Sequence, residues 1–299
     1  MKFSWQAKKT SVSIKQFLFA EGVSHNLWLK QKKLGGQLQL NGNPVSPDHA
    51  VVAGDIVTLA LPDEVSDPDV ATSFEPIHVI MADENWLVVN KDAGINTVPG
   101  PSDRETTLVN RVKGWLVTQH ADNLVPHLIT RLDRDTSGLV LVARNGIVQG
   151  MVAPQVDQHL MTKKYLALVA GRFADLKGVV DKPIGRVENS VARQVMAQGQ
   201  HAVTQYQVLE QFDQAALVEL TLLTGRTHQI RVHMQSIGHP LIGDALYNGP
   251  TTAFERQALH AFSLEFTDPL SGLRRTFNAP LPTDMQQLLN KLRAGKQMN

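Results

Sequence analysis

The chain has 299 residues, of which 42% are hydrophobic, which is enough for a sizeable core and too many for a fully disordered protein. This length fits one large domain or two unequal ones. The absence of cysteine excludes disulfides, zinc–thiolate sites, iron–sulfur clusters and a thiol nucleophile. No apolar run approaches the ~18–20 residues of a membrane span, and no secretion signal is evident, so we expect a cytoplasmic protein.

The net charge of +1 is distributed unevenly along the chain. Residues 1–60 carry +4, residues 61–105 carry −8, and the remainder carries +5. A basic head, an acidic middle and a mildly basic body predict separate modules. The charge of the head is as compatible with a solvated face as with polyanion binding, so a second feature must decide between them.

The first 61 residues predict a small α+β unit. Apolar residues at helix-like intervals predict two short helices over residues 11–34. The dipeptide Asn41-Gly42 within an alternating stretch predicts a hairpin, because Asn-Gly readily adopts positive φ, and residues 56–59 predict another strand. Residues 62–74 contain prolines and acidic residues with few apolar ones, which predicts an exposed linker.

From residue 75 onward, the predicted strands do not alternate regularly with helices. Helical periodicity is clearest over residues 228–236, with Thr227 as N-cap and Gly238 as stop, and in the C-terminal stretch 285–292. Apolar or alternating runs predict strands at 86–90, 139–143, 165–170, 202–209, 216–223, 258–266 and 273–277. This order disfavours a doubly wound parallel sheet, so we predict an α+β fold with a mixed, largely antiparallel sheet and flanking helices.

The strongest chemical signal is the stretch from His127 to Ala143. Several charged residues precede an apolar strand, and a Ser-Gly pair lets the chain turn directly into that strand; the charged residues are Arg131, Asp133, Arg134 and Asp135. Ionisable groups beside a buried strand cost desolvation free energy and are normally paired. The residues alone are therefore compatible with an ion-paired turn as well as with a catalytic site.

Two further stretches contain candidate residues of lower specificity. His228 and Arg231 lie three apart on one face of the predicted helix. His228 and His233 lack the spacing and the glutamate of a zinc protease, so they are expected to be core or capping histidines, and no metal site is predicted. Tyr165 lies in an alternating strand, where a lone tyrosine usually packs half-buried.

The stretch "TRLDRDTSGLVLVARN" resembles the signature of the RluA-type family of RNA pseudouridine synthases. Residues 11–60 are similar to an RNA-binding module shared with a small-subunit ribosomal protein. The resemblance implies a basic RNA-binding domain over residues 1–61, an acidic linker over 62–74 and a catalytic domain over 75–299. Further stretches follow in the order expected for the family, namely "LVVNKDAGINTVPG", "KKYLALV", "GRTHQIRVHMQSIGHPLIGDALY" and "LHAFSLEFTDPLSG".

The resemblance also implies a role for each matching residue. Asp133 would be the nucleophile or charge-stabilising carboxylate, and Arg231 would pair with it and favour its ionised form. Tyr165 would pack near the uracil and serve in proton transfer. Arg131 would contact RNA and fill the gap left by an extruded base, and Ile230 would line the base pocket.

The implied activity is the isomerisation of specific uridines in structured ribosomal or transfer RNA to pseudouridine. The C1′–N1 bond breaks, the uracil rotates and C5 joins C1′; because nothing is oxidised and no group is lost, neither a cofactor nor a metal is expected. In the basic head, Lys30, Lys32 and Lys33 would contact phosphates and raise affinity without reading sequence. The expected partner is RNA, with no membrane and no obligatory protein partner, so the enzyme is expected to be a monomer.

Two departures from the family pattern keep alternatives open. Thr130 stands where the family usually has histidine, and Asp92 stands where it usually has proline. A second interpretation is therefore an RNA-binding or ribosome-assembly protein with an inactive catalytic domain. A third is a glycoside hydrolase using Asp133 and Asp135, although these lie two apart in one turn and such enzymes need carboxylates about 5–9.5 Å apart across a sugar.

Overall fold

The structure, a computed structural model, describes residues 1–33 and 35–295, without the side chains of Lys30 and Gln31. Its first part is an α+β unit with an antiparallel four-stranded sheet in the order β1-β4-β2-β3. The elements are β1 (Lys2–Gln6), α1 (Ile14–Ala20), α2 (His25–Lys33), β2 (Gln37–Leu40), β3 (Asn43–Pro44) and β4 (Ile56–Ala60). The two helices, the hairpin and β4 match the sequence prediction, β1 was missed, and the predicted helical position Leu34 lies outside the described residues.

Local sequence explains the boundaries of this unit. The hydroxyl of Ser13 caps α1 by accepting a hydrogen bond from the Gln16 amide at 3.1 Å. Asn41 and Gly42 both have positive φ, as the hairpin signal requires. The apolar faces of helices and sheet then meet in one core, which includes Trp5, Ile14, Leu18, Trp28, Val57 and Leu59.

The second part of the described chain is built on one ten-stranded sheet, in which only β8 and β15 pair in parallel. The main order is β10-β13-β14-β9-β15-β8-β6-β5, with β16 beside β15 and β7 beside β8. Its strands are β5 (His78–Ala82), β6 (Trp86–Lys91), β7 (His127–Leu128), β8 (Ser137–Ala143), β9 (Thr162–Ala170), β10 (Lys177–Asp181), β13 (Val203–Gln211), β14 (Ala215–Leu222), β15 (Leu259–Thr267) and β16 (Arg274–Asn278). A separate hairpin comprises β11 (Ile184–Arg186) and β12 (Arg193–Val195). The predicted α+β class and largely antiparallel sheet are confirmed.

Helices flank this sheet. They are α3 (Leu108–Thr118), α4 (Gly146–Asp157), α5 (Gln229–Ser236) and α6 (Thr283–Arg293), with a 3-10 turn at Ala245–Tyr247. The N-cap of α5 is His228, so the prediction of Thr227 was wrong by one residue, whereas Gly238, with φ +85°, follows the helix end as predicted. Within the described ranges, no helix has the length and apolarity needed to cross a bilayer.

Strand β8 is buried along its whole length and enters the sheet directly after the charged turn. Gly138 has φ +120°, and a Cβ at this position would lie 2.3 Å from the Ala261 carbonyl oxygen of β15. Glycine therefore permits both the turn and the close approach of the two parallel strands. The consequence is that the charged turn is held rigidly at the start of a core strand.

The N-terminal unit packs directly on helix α4. Ile147 and Met151 of α4 are buried in the same apolar cluster as the core of that unit. Gly150 allows the approach, since a Cβ there would lie 3.1 Å from Leu27 Cδ2. The two parts of the chain therefore share a hydrophobic core.

Residues 62–74 are mostly exposed, and part of the segment contacts α3. Asn110 Nδ2 of α3 donates to the Ala71 carbonyl oxygen at 2.8 Å. A Cβ at Gly114 would lie only 1.9 Å from the Ser73 carbonyl oxygen, so the segment lies flat against the helix. Helix α3, which this segment contacts, was not predicted from the sequence.

Glu64 connects the same segment to the second part of the chain. Its Oε2 accepts hydrogen bonds from His127 Nε2 at 2.7 Å, from Asn123 Nδ2 at 2.8 Å and from the Gly146 amide at 3.0 Å. Burial alone would raise the pKa of Glu64, but these hydrogen bonds and the charge of His127 outweigh burial and lower the pKa to about 2.

Glu64→Gln is expected to remove a pH-dependent part of the folding stability. Because the folded-state pKa lies below the ordinary value of 4.5, the stabilisation is complete above that pH and is lost as the pH falls toward about 2. A shift of this size corresponds to roughly 3 kcal/mol. Denaturant unfolding should therefore show wild type more stable than the variant at neutral pH, with a gap that narrows on acidification; a gap independent of pH would contradict this assignment.

Candidate active site

A cleft of about 850 Å³ opens where the turn before β8 faces the segment leading into α5. Its walls come from stretches that are distant in sequence, since Asp133 and Arg231 are 98 positions apart. The cleft-lining residues include five that the sequence analysis singled out, namely Arg131, Asp133, Tyr165, Ile230 and Arg231. Folding therefore brings the expected chemical groups into one cavity.

Asp133 lies in a tight turn that the Thr136 amide closes by donating to the Asp133 carbonyl oxygen at 3.1 Å. Its side chain is 27% exposed, so the carboxylate is partly buried yet open to the cleft. The neighbouring Arg134 pairs with Asp135 at 2.9 Å. The turn thus contains the ion pair that a purely structural interpretation expected, but this pair leaves Asp133 available.

The Asp135 carboxylate does not line the cleft. It is held by Arg134 instead of facing Asp133 across a space for a sugar. This arrangement removes the basis for the glycoside hydrolase interpretation, which needs two carboxylates on opposite sides of the substrate.

Lys91, at the end of β6, supports the turn from within the protein. Its buried Nζ donates to the carbonyl oxygens of Asp92, Ile95 and Arg134 at 2.8–2.9 Å. Burial lowers the pKa of Lys91 to about 7, against the opposing effect of nearby carboxylates. Because Arg134 directly follows Asp133, the hydrogen bond from Lys91 to the Arg134 carbonyl oxygen fixes the backbone next to Asp133 relative to β6. Lys91 lies in the stretch "LVVNKDAGINTVPG", but no role was predicted for it from the sequence.

Arg231 lies between two carboxylates. Its Nε and Nη2 donate to Asp244 Oδ2 and Oδ1 at 2.7 and 2.8 Å, and its Nη1 donates to Asp133 Oδ2 at 3.3 Å. The guanidinium also lies over the Tyr247 ring, 4.8 Å from its centre. Burial alone would lower the pKa of Arg231, but the hydrogen bonds and charge of Asp244, with the charge of Asp133, raise it. Arg231 therefore stays charged and oriented.

Asp244 is a site residue that sequence reasoning missed. Its side chain is only 1% exposed, and Arg231 provides its bidentate partner. The residue lies within the quoted segment 225–247, but an aspartate before a short turn carries no sequence signal for this contact. Only the pairing with Arg231 in the folded protein identifies it.

Tyr165 lies on β9 between β14 and β15, with Leu220 and Ala261 as its register partners. The side chain is 7% exposed and lines the cleft. Burial and the negative charge of Asp133 both raise the pKa of Tyr165, so its phenol is protonated at neutral pH. In this state the phenol carries a hydrogen that can be donated to a group in the cleft.

His228 caps α5 in a left-handed conformation, with φ 56° and ψ 20°. Such backbone strain costs a non-glycine residue on the order of 1 kcal/mol and often marks a functional site. His228 Nδ1 is 2.8 Å from the Tyr247 hydroxyl oxygen, and Nε2 is 3.9 Å from Asp133 Oδ2. Burial lowers the pKa of His228, so the ring is neutral at pH 7. Both ring nitrogens of His233, by contrast, are hydrogen-bonded inside the core, as expected for a core histidine.

The remaining expected binding residues occupy different surroundings. Arg131 is exposed at the cleft, whereas Ile230 is buried in its wall. Lys32 and Lys33 are exposed on α2 and do not line the cleft. The side chain of Lys30 lies outside the described part of the chain.

The two departures from the family pattern make local contacts. Thr130 Oγ1 accepts a hydrogen bond from the Leu141 amide at 2.9 Å, which supports the backbone beside β8. Asp92 Oδ2 lies 3.2 Å from His78 Nε2, and both side chains are largely exposed. Neither departure displaces Asp133 from Arg231. Among residues 1–33 and 35–295, no group of three or more His, Asp or Glu side chains is arranged to hold a metal ion.

Comparison with known proteins agrees with this geometry. Residues 85–236 match the RNA pseudouridylate synthase family. The chain is 38% identical to an uncharacterised RNA pseudouridine synthase of Bacillus subtilis, over 93% of this chain and 98% of that protein. It is 34% identical to ribosomal large subunit pseudouridine synthase D of Vibrio cholerae, over 91% of this chain and 88% of the relative.

A solved structure has the same fold. Human RNA pseudouridylate synthase domain containing 1 superposes with a TM-score of 0.58 at 27% sequence identity, over 75% of this chain and 98% of the human one. The family match spans the cleft residues from Asn96 to Arg231. The chain therefore belongs to the RNA pseudouridylate synthase family and is an enzyme that isomerises uridine in RNA to pseudouridine.

Proposed function

We propose that this enzyme modifies specific uridines of ribosomal RNA, with Asp133 as the reactive carboxylate and Arg231 as its partner. The supporting observation is the arrangement of Arg231 between the buried Asp244 and the cleft-facing Asp133. A cation held on both sides pairs with the Asp133 carboxylate and orients it toward the cleft. We favour ribosomal over transfer RNA because the relative from Vibrio cholerae is named for the ribosomal large subunit.

An ionised Asp133 is suited to each of two routes for breaking the C1′–N1 bond. It attacks C1′ to form an ester, or it takes a proton from C2′ in an elimination, and in both routes its charge stabilises an electron-poor C1′. Tyr165, kept protonated by its surroundings, donates a hydrogen bond or a proton to the released uracil. After rotation, C5 bonds to C1′ as the ester C–O bond breaks or, in the elimination route, as Asp133 returns the proton to C2′. C5 then loses its proton to water and N1 gains one, so no oxidant or metal is consumed.

A uridine inside an RNA stem must leave its stack to reach Asp133, at a cost of a few kcal/mol. We assign Arg131, which is exposed at the cleft, to the RNA and to the gap that the extruded base leaves. We assign Ile230, which is 4% exposed, to the apolar wall of the base pocket. In these roles, the charged contact of Arg131 and the apolar contact of Ile230 together offset the free energy needed to extrude the base.

We assign residues 1–61 to RNA binding, residues 62–74 to the connection and residues 75–299 to catalysis. The basic charge of the head and its shared core with α4 support a fixed RNA-binding module beside the catalytic domain. Lys32 and Lys33 are exposed on α2, and these two, together with Lys30, are our candidates for phosphate contacts. We further propose a cytoplasmic monomer without an obligatory protein partner, since one chain supplies all the cleft residues named here.

The double substitution Lys32→Ala with Lys33→Ala is expected to weaken RNA binding and its salt dependence. Each lost phosphate contact reduces the slope of log affinity against log salt by about 0.7–0.9. Substitution is preferable to deletion of residues 1–60, because deletion would expose Ile147 and Met151. Binding titrations at several salt concentrations measure the slope, and Lys291→Ala, an exposed lysine on α6, serves as the matched control. An unchanged slope in the double variant would count against the α2 contacts.

The substrate assignment is tested by mapping pseudouridine in total RNA from cells with and without the gene. We expect one or more ribosomal RNA sites to disappear and to return with the wild-type gene. Loss of sites only in transfer RNA would move the substrate to that class, and an unchanged map would contradict the proposal. Release of the C5 hydrogen from labelled uridine RNA by the purified protein provides the matching assay in vitro.

A further inference from the structure

A hydrogen-bonded chain lies behind the reactive carboxylate and has no part in the mechanism described above. The backbone amide of Arg193 donates to the Tyr247 hydroxyl oxygen at 2.9 Å, and this oxygen is 2.8 Å from His228 Nδ1. On the opposite side of the ring, His228 Nε2 is 3.9 Å from Asp133 Oδ2. The chain thus connects β12 and the 3-10 turn to the cleft.

The hydrogen bonds around Tyr247 favour one tautomer of the imidazole. The Tyr247 oxygen already accepts the Arg193 amide hydrogen, so we assign its own hydroxyl hydrogen to His228 Nδ1. A neutral imidazole whose Nδ1 accepts carries its hydrogen on Nε2. The N–H of His228 therefore faces the Asp133 carboxylate.

Two side chains of different charge lie beside the same carboxylate oxygen. Arg231 Nη1 donates to Asp133 Oδ2 at 3.3 Å, whereas His228 Nε2, at 3.9 Å, lies near this oxygen without a hydrogen bond. Oδ1 is then the oxygen available to the substrate. A neutral donor orients the carboxylate without adding a second positive charge, which would weaken Asp133 as a nucleophile or base.

We propose that His228, oriented by Tyr247, is a positioning residue that holds Asp133 Oδ2 so that Oδ1 faces the ribose. This inference rests on the proposed role of Asp133. The charged groups that act on the ring are Asp133, Arg231, Arg193 and Asp244. The competing explanation is that His228 only caps α5 and packs against Tyr247.

Asparagine and glutamine at position 228 separate these two explanations. The Asn amide lies near the position of Nδ1, whereas the longer Gln side chain carries an N–H donor near the position of Nε2. Asn tolerates the left-handed backbone better than Gln, so a purely structural role predicts that His228→Asn is the milder change. A positioning role predicts the reverse order.

The readout is the single-turnover rate of isomerisation on a ribosomal RNA substrate. We expect His228→Asn to slow this step about 10- to 100-fold, since small misplacements of a reacting group have effects of this size. We expect His228→Gln to recover most of that loss, with RNA affinity unchanged in both variants. An Asn variant as fast as the Gln variant, or faster, would overturn the inference.

Tyr247→Phe tests the second link in the chain. It keeps the ring under Arg231 but removes the hydroxyl group that orients the imidazole. We expect this variant to slow the reaction, and we expect its combination with His228→Asn to be no slower than His228→Asn alone, because both act through one path. Losses that multiply in the double variant would contradict the chain.

Wild type and Asp133→Asn, measured in parallel, distinguish a failure of the proposed role of Asp133 from a failure of the role of His228. An active Asp133→Asn enzyme would overturn the proposed role of Asp133. An inactive Asp133→Asn enzyme, together with wild-type rates in both His228 variants, would overturn the role of His228 alone. Thermal unfolding midpoints of all variants exclude loss of folding as the cause.

Discussion

Asp133→Asn is expected to lower the single-turnover rate by about 10⁴-fold or more, as loss of a central catalytic group commonly does. The amide has nearly the same size, but it carries no charge, so it neither attacks C1′ nor accepts a proton nor stabilises an electron-poor C1′. Because the side chain is 27% exposed and Arg231 keeps its bidentate bonds to Asp244, folding should be affected by less than about 1 kcal/mol. RNA affinity should be unchanged.

The matched control is Asp135→Asn, in the same turn. Its carboxylate pairs with Arg134 and does not line the cleft, so the rate should stay within a few-fold of wild type. Release of the C5 hydrogen measures both variants on one RNA. Equal losses in the two variants would mean that the turn matters as a whole and that Asp133 has no special role.

Arg231→Met is expected to combine a large loss of stability with a large loss of rate. The substitution leaves Asp244, with 1% exposure, as a buried carboxylate without its cation, and Asp133 loses the same partner. Removing one member of a buried ion pair costs about 3–5 kcal/mol. Arg231→Lys should recover little of the lost stability or rate, because an ammonium group does not reproduce the bidentate hydrogen bonds or the contact with the Tyr247 ring.

A second substitution separates stability from catalysis in this site. Combining Arg231→Met with Asp244→Asn removes the uncompensated buried charge, so denaturant unfolding should show part of the lost stability returning. The rate should stay low, because Asp133 still lacks its guanidinium partner. If the rate recovered together with the stability, Arg231 would act only through folding.

The helices show where sequence patterns are informative and where they fail. The α5 periodicity was readable because apolar residues recur at Ile230, Met234 and Ile237, although its polar residues Gln229, Arg231 and His233 are buried as well. Helix α4 was missed because it is buried on two sides, with Ile147 and Met151 in the N-terminal core and Val148 and Val152 under the large sheet, so no polar face marks a period of 3.6 residues. In helix α3 the apolar residues Leu108, Val112 and Leu116 recur every four positions, a spacing typical of a helix, but this helix was not predicted.

The connection between the two parts of the chain makes contacts that its composition did not predict. Composition correctly described residues 62–74 as acidic and poor in apolar residues. It gave no information on Glu64, whose partners His127 and Asn123 lie about 60 positions away. Polar contacts at such separations depend on the tertiary fold and leave no local pattern.

The amino-acid order by itself determined the α+β class, the buried strand after the charged turn and the candidacy of Asp133, because these depend on local periodicity and on a contiguous motif. The resemblance implied Arg231 as the partner of that carboxylate, and only the tertiary structure added Asp244, Lys91 and His228. Lys91 comes from β6, whereas the other three come from the segment 225–247, and they meet Asp133 through strand pairing and helix packing. The physical reason is that desolvation forces buried charges to find partners wherever the fold offers them, irrespective of their distance along the chain.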